Sequence, residues 1–419
     1  MNQLKAEILE ICQKAKDSAK SMALLDEATK NNILSEVKNL IILNKAKILE
    51  ANFIDLENAK KNQLEASKID RLMLDENKIL SMVKSIDDII KLDDPVGKII
   101  YEVNRPNGLN IKRVSTPIGV LLTIYEARPN VTTDVGALSI KSGNVVILRS
   151  GSEAINSSKI LASFFQQALR KFNVDESAVS FCKNPNRDFV NGLLKMDKFI
   201  DVVIPRGGKS LIMAVSKQSK IPIFKHLDGN CHTYINEKAD FEKARAILLN
   251  AKMRRVGICG ATESLLIDKK IAQKIIPILI NDLDKVGCEV RGMNDARRID
   301  SRIKKASTQD FYTEYLDKIL SLKIVKNIDE AIAHIAKFGS SHTESIITED
   351  NEMAQKFLNE VNSAIVMHNA STQFADGGEF GLGAEVGIAT GKIHARGPVG
   401  LEQLTIYKYQ IVADCAIRQ

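Results

Sequence analysis

Apolar positions change their period along the chain. Between residues 4 and 90 they recur three and four positions apart, which places them on one face of a helix. One such set is Ile79, Met82, Val83 and Ile86. The pattern predicts a helical first segment, with Asp26 and Asp75 as residues that cap helix N-termini.

From residue 118 the pattern becomes an alternation of short apolar runs and amphipathic segments. The runs that predict strands are 118–126, 144–150, 178–184, 199–208 and 221–227, and then 233–236, 263–268, 322–327, 344–350 and 363–369. Helical patterns separate them, at 131–141, 153–171, 186–196, 209–219, 240–252, 269–286, 328–338 and 350–360. Nearly continuous β-branched strands alternating with helices indicate α/β domains with parallel sheets covered on both faces.

Two extended segments fall outside this rhythm. Pro106-Asn107-Gly108 forms a turn signal between extended pieces before residue 118. Residues 404–418, LTIYKYQIVADCAIR, follow a glycine-rich irregular stretch and predict a terminal strand.

Composition narrows the class of protein. A chain of 419 residues is long enough for two or three domains. The net charge of +7 comes from 59 basic and 52 acidic residues, but the lysines are scattered and Trp is absent. No basic block alternates with aromatic residues, so we expect no nucleic-acid binding.

The cysteines and the N-terminal segment indicate a compartment. The first residues are amphipathic and lack an apolar signal region, and no apolar run is long enough to span a membrane. Six cysteines lie far apart without a C-x-x-C pair. We therefore expect free thiols and a cytoplasmic location.

Several familiar site motifs are incomplete. Gly208-Lys209-Ser210 ends like a phosphate-binding loop, but Val203 stands where its first glycine belongs. The histidines lack the spacing of metal ligands, so we expect no metal site. Gly207 and Gly208 follow a predicted strand and precede a predicted helix, a position that suits a pyrophosphate.

The stretch 250–264, NAKMRRVGICGATES, carries the best candidate for a nucleophile. Cys259 follows Arg254 and Arg255 and lies between Gly257 and Gly260. Cationic neighbours favour the reactive thiolate, and glycines let a substrate approach the backbone. On these features alone, a buried structural cysteine is the favoured interpretation.

Seven segments in fixed order resemble the aldehyde dehydrogenase superfamily, and within it the gamma-glutamyl phosphate reductases. They are TPIGVLLTIYEARPNVT (116–132), SGNVVILRSGSEA (142–154), DVVIPRGG (201–208), FKHLDGNCHTYIN (224–236), the loop that carries Cys259 before TES (262–264), EYLDKILSLKIVKNIDEAIAHI (314–335) and FADGGEFGLGAEVGIATGKIHARGPVGLEQLTIYKY (374–409). The resemblance implies two doubly wound α/β domains with a small β oligomerisation flap. It also implies NADPH-dependent reduction of L-glutamyl 5-phosphate to L-glutamate 5-semialdehyde in proline biosynthesis.

The resemblance gives Cys259 catalytic partners. Asn130 matches the superfamily asparagine that donates to the developing oxyanion, with the Cys259 backbone N–H as second donor. Hydrolytic members carry a Glu in E-L-G-G that activates water, whereas this chain has His226-Leu227-Asp228-Gly229. Loss of that general base suits a thioester that is reduced rather than hydrolysed.

The resemblance also implies residues that bind the cofactor. Glu314 matches a Glu that bonds the ribose on the nicotinamide side, and Arg149 and Glu153 match positions near the adenosine ribose. Arg149 would pair with a 2′-phosphate, which predicts NADPH as the cofactor. Gly207 and Gly208 would lie beside the pyrophosphate.

Cations close to these motifs are candidates for binding the acyl phosphate. They are Lys252, Arg254, Arg255 and Arg396. Arg128 and Glu385 are candidates for holding the glutamate end. The chain departs from the superfamily pattern around the nucleophile, where Pro-Ser-Thr-Cys-Asn is replaced by VGICG (256–260), and Ser150 replaces a common glycine.

The implied domains are interleaved. Residues 1–103 and 117–225 would bind NADP, 226–403 would carry catalysis, and 104–116 with 404–419 would pair as the oligomerisation flap. An exposed strand edge of this kind needs a partner, so we expect a homo-oligomer. The resemblance further implies a functional link to glutamate kinase.

Two alternatives stay open. The chain could be another acylating or hydrolytic aldehyde dehydrogenase, against which the replaced Glu and the EARPN segment argue. It could also be an inactive scaffold on the same fold, which only the altered loop around Cys259 supports.

Overall fold

The computed structural model describes residues 2–225 and 227–418, without the side chains of Asn2 and Ser67. These residues divide into two compact units. Unit 1 takes residues 2–225, 381–387 and 399–418, and unit 2 takes residues 227–380 and 388–398. The chain therefore leaves unit 1 twice, after residues 225 and 387, and its C-terminal part lies in unit 1.

Unit 1 begins with helices and continues with alternating strands and helices. Its helices are α1 Asn2–Met22, α2 Glu27–Leu43, α3 Lys45–Lys61, α4 Ala66–Leu72, α5 Glu76–Lys91, α6 Asn130–Lys141, α7 Ile155–Lys171, α8 Arg187–Leu193 and α9 Lys209–Gln218. Its strands are β1 Ile99–Asn104, β2 Asn110–Pro117, β3 Val120–Tyr125, β4 Val145–Ser150, β5 Val179–Phe181, β6 Val202–Arg206 and, from the C-terminal part, β16 Thr405–Val412. The predicted caps are confirmed: Asp26 accepts from the Thr29 N–H and Asp75 from the Lys78 N–H, each at 2.7 Å.

The central sheet of unit 1 has the parallel order β5-β4-β3-β6 among the described residues. Every residue of β3 is buried, as its unbroken apolar run predicts. The loops that follow β3, β4 and β6 leave from the same carboxyl edge, which is where ligands bind in open α/β sheets. Asn130, Arg149, Glu153, Gly207 and Gly208 lie in or beside these loops.

A second sheet of unit 1 joins segments that are far apart in sequence. The antiparallel hairpin β1–β2 turns at Pro106-Asn107-Gly108, and β16 pairs with β2 from Thr405 opposite Pro117 to Val412 opposite Asn110. The expected pairing of these remote segments is confirmed. The outer strand β16 is exposed over most of its length, and its role as an oligomerisation flap stays a prediction.

Unit 2 is built around a long parallel sheet. Its strands are β7 Cys231–Ile235, β8 Thr262–Asp268, β9 Glu289–Gly292, β10 Lys304–Lys305, β11 Ile319–Val325, β12 Thr343–Ile347 and β13 Ile365–His368, with β14 Ile388–Ala389 and β15 Gly397–Pro398 as a separate pair. Its helices are α10 Phe241–Met253, α11 Lys269–Lys285, α12 Asn294–Ile299, α13 Ile328–Phe338 and α14 Asn351–Glu360. The strand order over the described residues is β10-β9-β11-β8-β7-β12-β13.

Helices cover both faces of this sheet. Leu265 and Ile267 of β8 pack into one apolar cluster with α10 and α11, while the intervening Leu266 packs into another with α13 and α14. Alternate strand residues point to opposite faces, so a continuous apolar run is what a doubly covered strand requires.

Adjacent strands place three loops of unit 2 side by side. Strands β11, β8 and β7 are parallel neighbours. The segments 227–230, 254–261 and 313–318 directly precede β7, β8 and β11. They therefore meet at the amino edge of the sheet, and they bring Gly229, Cys259 and Glu314 together.

Two segments differ from the sequence-based expectation. A strand was predicted at 221–227, and His226 of this range lies outside the described residues. The other residues of the range do not form a strand. Only an isolated bridge joins Ile223 to Val203, because Pro222 and Pro205 of β6 have no N–H to continue the ladder on either side. The elements β9, α12 and β10 are additional, since their short and charged sequences carry little periodic signal.

In the part of the chain that the structure describes, no helix is both long and apolar enough to cross a membrane.

Burial of His334 in α13 predicts an acid-sensitive fold. The ring is 3% exposed and packs against Phe311, Phe338 and His232. Burial, helped by the charges of His232 and Lys323, lowers its pKa from 6.5 to about 3. The unfolded chain therefore binds this proton at a higher pH than the native chain does, so stability falls as the pH drops from about 6.5 towards 3.

We expect His334→Phe, which keeps an aromatic ring, to remove this loss. At pH 4 it should stabilise unit 2 relative to the parent by on the order of 3 kcal/mol, with little difference at pH 8. Urea unfolding at the two pH values measures it. An equal change at both would show that protonation of His334 does not contribute.

Candidate active site

Cys259 lies on a turn that joins α10 to β8. The Ala261 N–H donates to the Ile258 carbonyl at 3.0 Å, which closes the turn around the cysteine. The Cys259 side chain is half-buried, unlike Cys12, which is fully buried. A thiol on a fixed turn at the sheet edge, with part of its surface open to solvent, fits a nucleophile better than a structural cysteine.

Gly229 approaches the backbone of Cys259 so closely that no side chain fits between them. A Cβ atom on Gly229 would lie 2.0 Å from the Cys259 carbonyl oxygen and 2.6 Å from its Cα. The Gly229 N–H donates to Glu314 Oε1 at 2.8 Å. The loops before β7 and β11 therefore fix the position of the turn that carries the thiol.

Cys231 provides a further contact to the same turn. Its Sγ lies 3.0 Å from the Cys259 carbonyl oxygen, to which the thiol donates. Burial raises the pKa of Cys231 well above its ordinary value, so the thiol keeps its proton. The sequence shows Cys231 only as one more free thiol, since its contact depends on the pairing of β7 with β8.

Residues 371–375 support the turn from the other side. Gln373 Nε2 donates to the carbonyls of Ala251 at 2.9 Å and Arg255 at 3.2 Å. A Cβ on Gly260 would lie 3.0 Å from the Thr372 carbonyl oxygen. This contact explains why glycine follows the cysteine here. Gln373 carries no signal in the sequence that marks it as part of the site.

Lys252 and Glu263 form a buried ion pair beside the turn. Lys252 Nζ lies 2.5 Å from Glu263 Oε2, and both side chains are 0% exposed. Burial raises the pKa of Glu263 to about 7, against the opposing attraction of Lys252. Lys252 was predicted to bind the acyl phosphate, but its ammonium is committed to this carboxylate.

The other predicted cations of unit 2 differ in their contacts. Arg254 and Arg255 are exposed on the turn just before Cys259. Arg396 donates from Nη1 to the Asn362 side chain at 3.0 Å and from Nη2 to the Asn362 carbonyl at 2.9 Å. Of the four predicted cations, Arg254 and Arg255 are therefore the two that lie exposed on the loop of Cys259.

Asn130 begins α6 in unit 1, where its exposed side chain is held by one neighbour. Its Nδ2 donates to Asp134 Oδ2 at 3.1 Å, and Asp134 Oδ1 accepts from Ser85 Oγ at 3.0 Å. Burial raises the pKa of Asp134. The contact sets the direction in which the amide faces, with Nδ2 towards Asp134. An amide NH₂ has two N–H groups, and the second is the one that would donate to an oxyanion. Arg128 lies on the loop that leads into this helix.

Two carboxylates fasten the carboxyl edge of the unit 1 sheet. Glu153 Oε1 accepts from the Ala127 N–H at 2.8 Å, and Ala127 has a left-handed φ of 44°. Glu126 Oε2 accepts from the N–H of Gly208, the residue that caps α9, at 3.2 Å. Glu153 thus shapes the loop before Asn130, and the negatively charged oxygen that the Gly208 N–H binds at the start of α9 is that of Glu126.

Arg149 closes the same edge at the end of β4. Its Nη2 donates to the Pro185 carbonyl at 2.9 Å. Its Nε is buried, and no hydrogen-bond partner for it is found among the described residues. The guanidinium is therefore partly engaged and keeps donor capacity for an anion.

The remaining predicted residues lie as follows. Glu385 is half-buried in the part of unit 1 formed by residues 381–387. His226, which replaces the hydrolytic Glu, lies outside the described residues. No cluster of His, Cys, Asp and Glu that could hold a metal ion is found within residues 2–225 and 227–418.

Comparison with known proteins places the chain in one family. The sequence profile of the aldehyde dehydrogenase family matches residues 2–306. A gamma-glutamyl phosphate reductase of Rhodospirillum rubrum is 49% identical over 404 residues, 96% of this chain and 95% of the relative. The chain belongs to the aldehyde dehydrogenase family, among its gamma-glutamyl phosphate reductases. A reductase of Bartonella tribocorum is 48% identical over 97% of this chain and 99% of the relative.

Solved structures agree with this membership. The crystal structure of the gamma-glutamyl phosphate reductase of Thermotoga maritima has a TM-score of 0.96 and 42% identity, and covers 99% of this chain and 100% of that one. An acetylating aldehyde dehydrogenase of Geobacillus thermoglucosidasius, at 18% identity and a TM-score of 0.69, shares the fold. The predicted aldehyde dehydrogenase-like α/β fold is confirmed, and the chain is an oxidoreductase that uses a nicotinamide cofactor.

The contact between Gly229 and Cys259 predicts a sharp effect of one methyl group. In Gly229→Ala the added Cβ must push the Cys259 turn away, and a displacement of that kind lowers kcat on the order of 100-fold. Gly391→Ala is the matched control, because nothing lies within 4 Å of a Cβ at Gly391, an exposed residue of unit 2 outside the loop of Cys259. Steady-state rates, with the rate of Cys259 alkylation by iodoacetamide, measure both. Equal behaviour of the two variants would contradict the geometry.

Proposed function

We propose that the chain reduces L-glutamyl 5-phosphate to L-glutamate 5-semialdehyde and phosphate with NADPH, as a step of proline biosynthesis. The observation that carries the proposal is the half-buried Cys259 on its locked turn, in a chain almost half identical to gamma-glutamyl phosphate reductases over nearly its full length.

The thiolate of Cys259 attacks the γ-carbonyl carbon of the acyl phosphate. The carbon–sulfur bond forms as the carbon–oxygen bond to phosphate breaks, and the leaving phosphate carries away its electron pair. The product on the enzyme is a γ-glutamyl thioester of Cys259. Arg254 and Arg255, exposed on the same turn, neutralise the phosphate as it departs.

The backbone N–H of Cys259 is assigned to the oxyanion of this attack, and the sequence motif assigns the amide of Asn130 to the same task. Asp134 supports the role of Asn130, because it fixes Nδ2 as the donor. Donors of this kind contribute roughly 10²-fold to 10³-fold each in rate. Arg128, Glu385 and Arg396 are assigned to the glutamate end and its phosphate, and Lys252 is discussed below.

The carboxyl edge of the unit 1 sheet suits the cofactor. The Gly207 and Gly208 backbone at the start of α9 would face the pyrophosphate. Arg149 would pair with the 2′-phosphate, since no hydrogen-bond partner for its Nε is found among the described residues. Glu153 and Glu314 are assigned to the two riboses. When bound, NADPH supplies the hydride that reduces the thioester to the aldehyde.

The chain's own residues also protect the thioester from hydrolysis. Position 226 holds histidine where hydrolytic relatives of the superfamily hold the Glu that activates water. The thioester therefore persists until it is reduced. A cytoplasmic location, assembly as a homo-oligomer through the sheet of β1, β2 and β16, and supply of the acyl phosphate by glutamate kinase complete the proposal.

Replacement of the nucleophile tests the reaction in its reverse direction. Phosphate-dependent oxidation of glutamate 5-semialdehyde with NADP should fall more than about 10³-fold in Cys259→Ser, since a serine hydroxyl is a far weaker nucleophile. The control Cys415→Ser, at an exposed position, should keep the parent's rate. Retained turnover in Cys259→Ser would refute the mechanism, and an inactive parent would favour a scaffold.

The role of Arg149 predicts cofactor preference. The parent should use NADPH well and NADH poorly. Arg149→Gln should raise the KM for NADPH roughly 10-fold to 100-fold and leave that for NADH almost unchanged, because only the 2′-phosphate loses a charged partner. Arg187→Gln, a change of the same kind at a neighbouring cation, serves as the control. A parent that prefers NADH would overturn the assignment.

A further inference from the structure

The buried pair of Lys252 and Glu263 spans the base of the turn that carries Cys259. Lys252 lies in the last turn of α10, and Glu263 is the second residue of β8. Their 2.5 Å contact therefore joins the two ends of the segment 254–261. Any shift of one end relative to the other stretches this contact.

Glu263 also reaches the neighbouring loop. Its second oxygen, Oε1, accepts from the Leu316 N–H at 3.1 Å. Leu316 has a φ of 54°, which lies in the left-handed region. A residue other than glycine keeps this conformation when its surroundings hold it there. Glu263 thus fixes the loop 313–318 as well as the nucleophile's turn.

These contacts form a closed circuit. Two residues before Leu316, Glu314 receives the Gly229 N–H at 2.8 Å, and Gly229 packs directly on the backbone of Cys259. The turn is linked through the ion pair to the loop 313–318, and this loop is linked through Gly229 back to the turn. Each of the loops before β7, β8 and β11 is held by the other two.

Burial of this pair needs a reason other than stability. Removing two charges from water costs free energy that their attraction rarely exceeds, so apolar side chains of similar size would support the fold as well. A buried pair can instead select one arrangement of the elements that it joins. The elements joined here are those that position the nucleophile.

We propose that Lys252 and Glu263 are positioning residues that hold the thiol and the backbone N–H of Cys259 in their reactive arrangement. Lys252 then acts through Glu263 and not on the acyl phosphate, to which the sequence motif had assigned it. The assignment of a positioning role rests on the proposed function only for its kinetic readout, because the reactivity of Cys259 can be measured without substrate.

Three variants test the proposal: Glu263→Gln, Lys252→Met and the double variant. In each single variant kcat should fall on the order of 10-fold to 100-fold with KM for phosphate little changed, because the reacting groups are misplaced rather than unbound. Alkylation of Cys259 by iodoacetamide, followed on its own peptide by mass spectrometry, should change several-fold in the same variants. The double variant should be no slower than the worse single one, since both changes break one link.

Lys30→Met is the matched control for a buried lysine. Lys30 is 0% exposed and pairs with Asp94 at 2.7 Å in unit 1. Both Lys30→Met and Lys252→Met should lower the thermal midpoint. The folded Lys30→Met protein should keep the parent's kcat and its Cys259 alkylation rate. If Lys252→Met fails to fold, Glu263→Gln carries the test, because its amide oxygen still accepts from Leu316.

Three results would overturn the proposal. Folded single variants with the parent's kcat and alkylation rate would show a purely structural pair. Losses that multiply in the double variant would show independent roles. A rise in KM for phosphate confined to Lys252→Met, with kcat retained at saturation, would show that Lys252 binds substrate.

A different outcome separates this proposal from the proposed function. An inactive parent whose Cys259 alkylation rate still changes in the variants would refute the proposed function alone.

Discussion

The site depends on one close backbone contact, that of Gly229 against Cys259. There is no room for a Cβ at Gly229, whose hypothetical atom lies 2.0 Å from the Cys259 carbonyl oxygen. The contact exists because β7 and β8 are parallel neighbours, so the loops before them must share the amino edge of the sheet. Glu314, Cys231 and the 371–375 segment then fix the turn around that contact. The proposed nucleophile is held by backbone geometry, while its thiol stays partly open to solvent.

The two units use opposite edges of their sheets. In unit 1 the candidate cofactor residues follow β3, β4 and β6 and lie at the carboxyl edge, as expected for an open α/β sheet. In unit 2 the turn of Cys259 precedes β8, and the two loops that hold it precede β7 and β11, so all three lie at the amino edge. Helix N-termini at the carboxyl edge suit an anionic cofactor. The amino edge instead offers connecting turns whose backbones can pack together, which suits a nucleophile that must be held rigidly.

Much of this could be predicted from the sequence. Periodicity predicted most helices and strands, because apolar faces must be buried, and it failed at Pro222 and at the short charged elements β9 and β10. Chemistry and family motifs predicted Cys259 and Asn130. They did not predict Gln373 or the contact of Cys231, which depend on residues far apart in sequence. Lys252 shows the limit most clearly: a lysine beside a nucleophile suggests an anion site, and only the fold shows the buried Glu263 that engages it.

Formation of a thioester on Cys259 is the central claim, and it can be measured without the second half-reaction. Glutamate 5-semialdehyde and NADP are mixed with the enzyme in the absence of phosphate, and NADPH is followed by stopped flow. The account predicts a burst stoichiometric with the enzyme, a γ-glutamyl group on the peptide that contains Cys259, and continued turnover only when phosphate is added. No burst without phosphate, or an adduct on another cysteine, would contradict it.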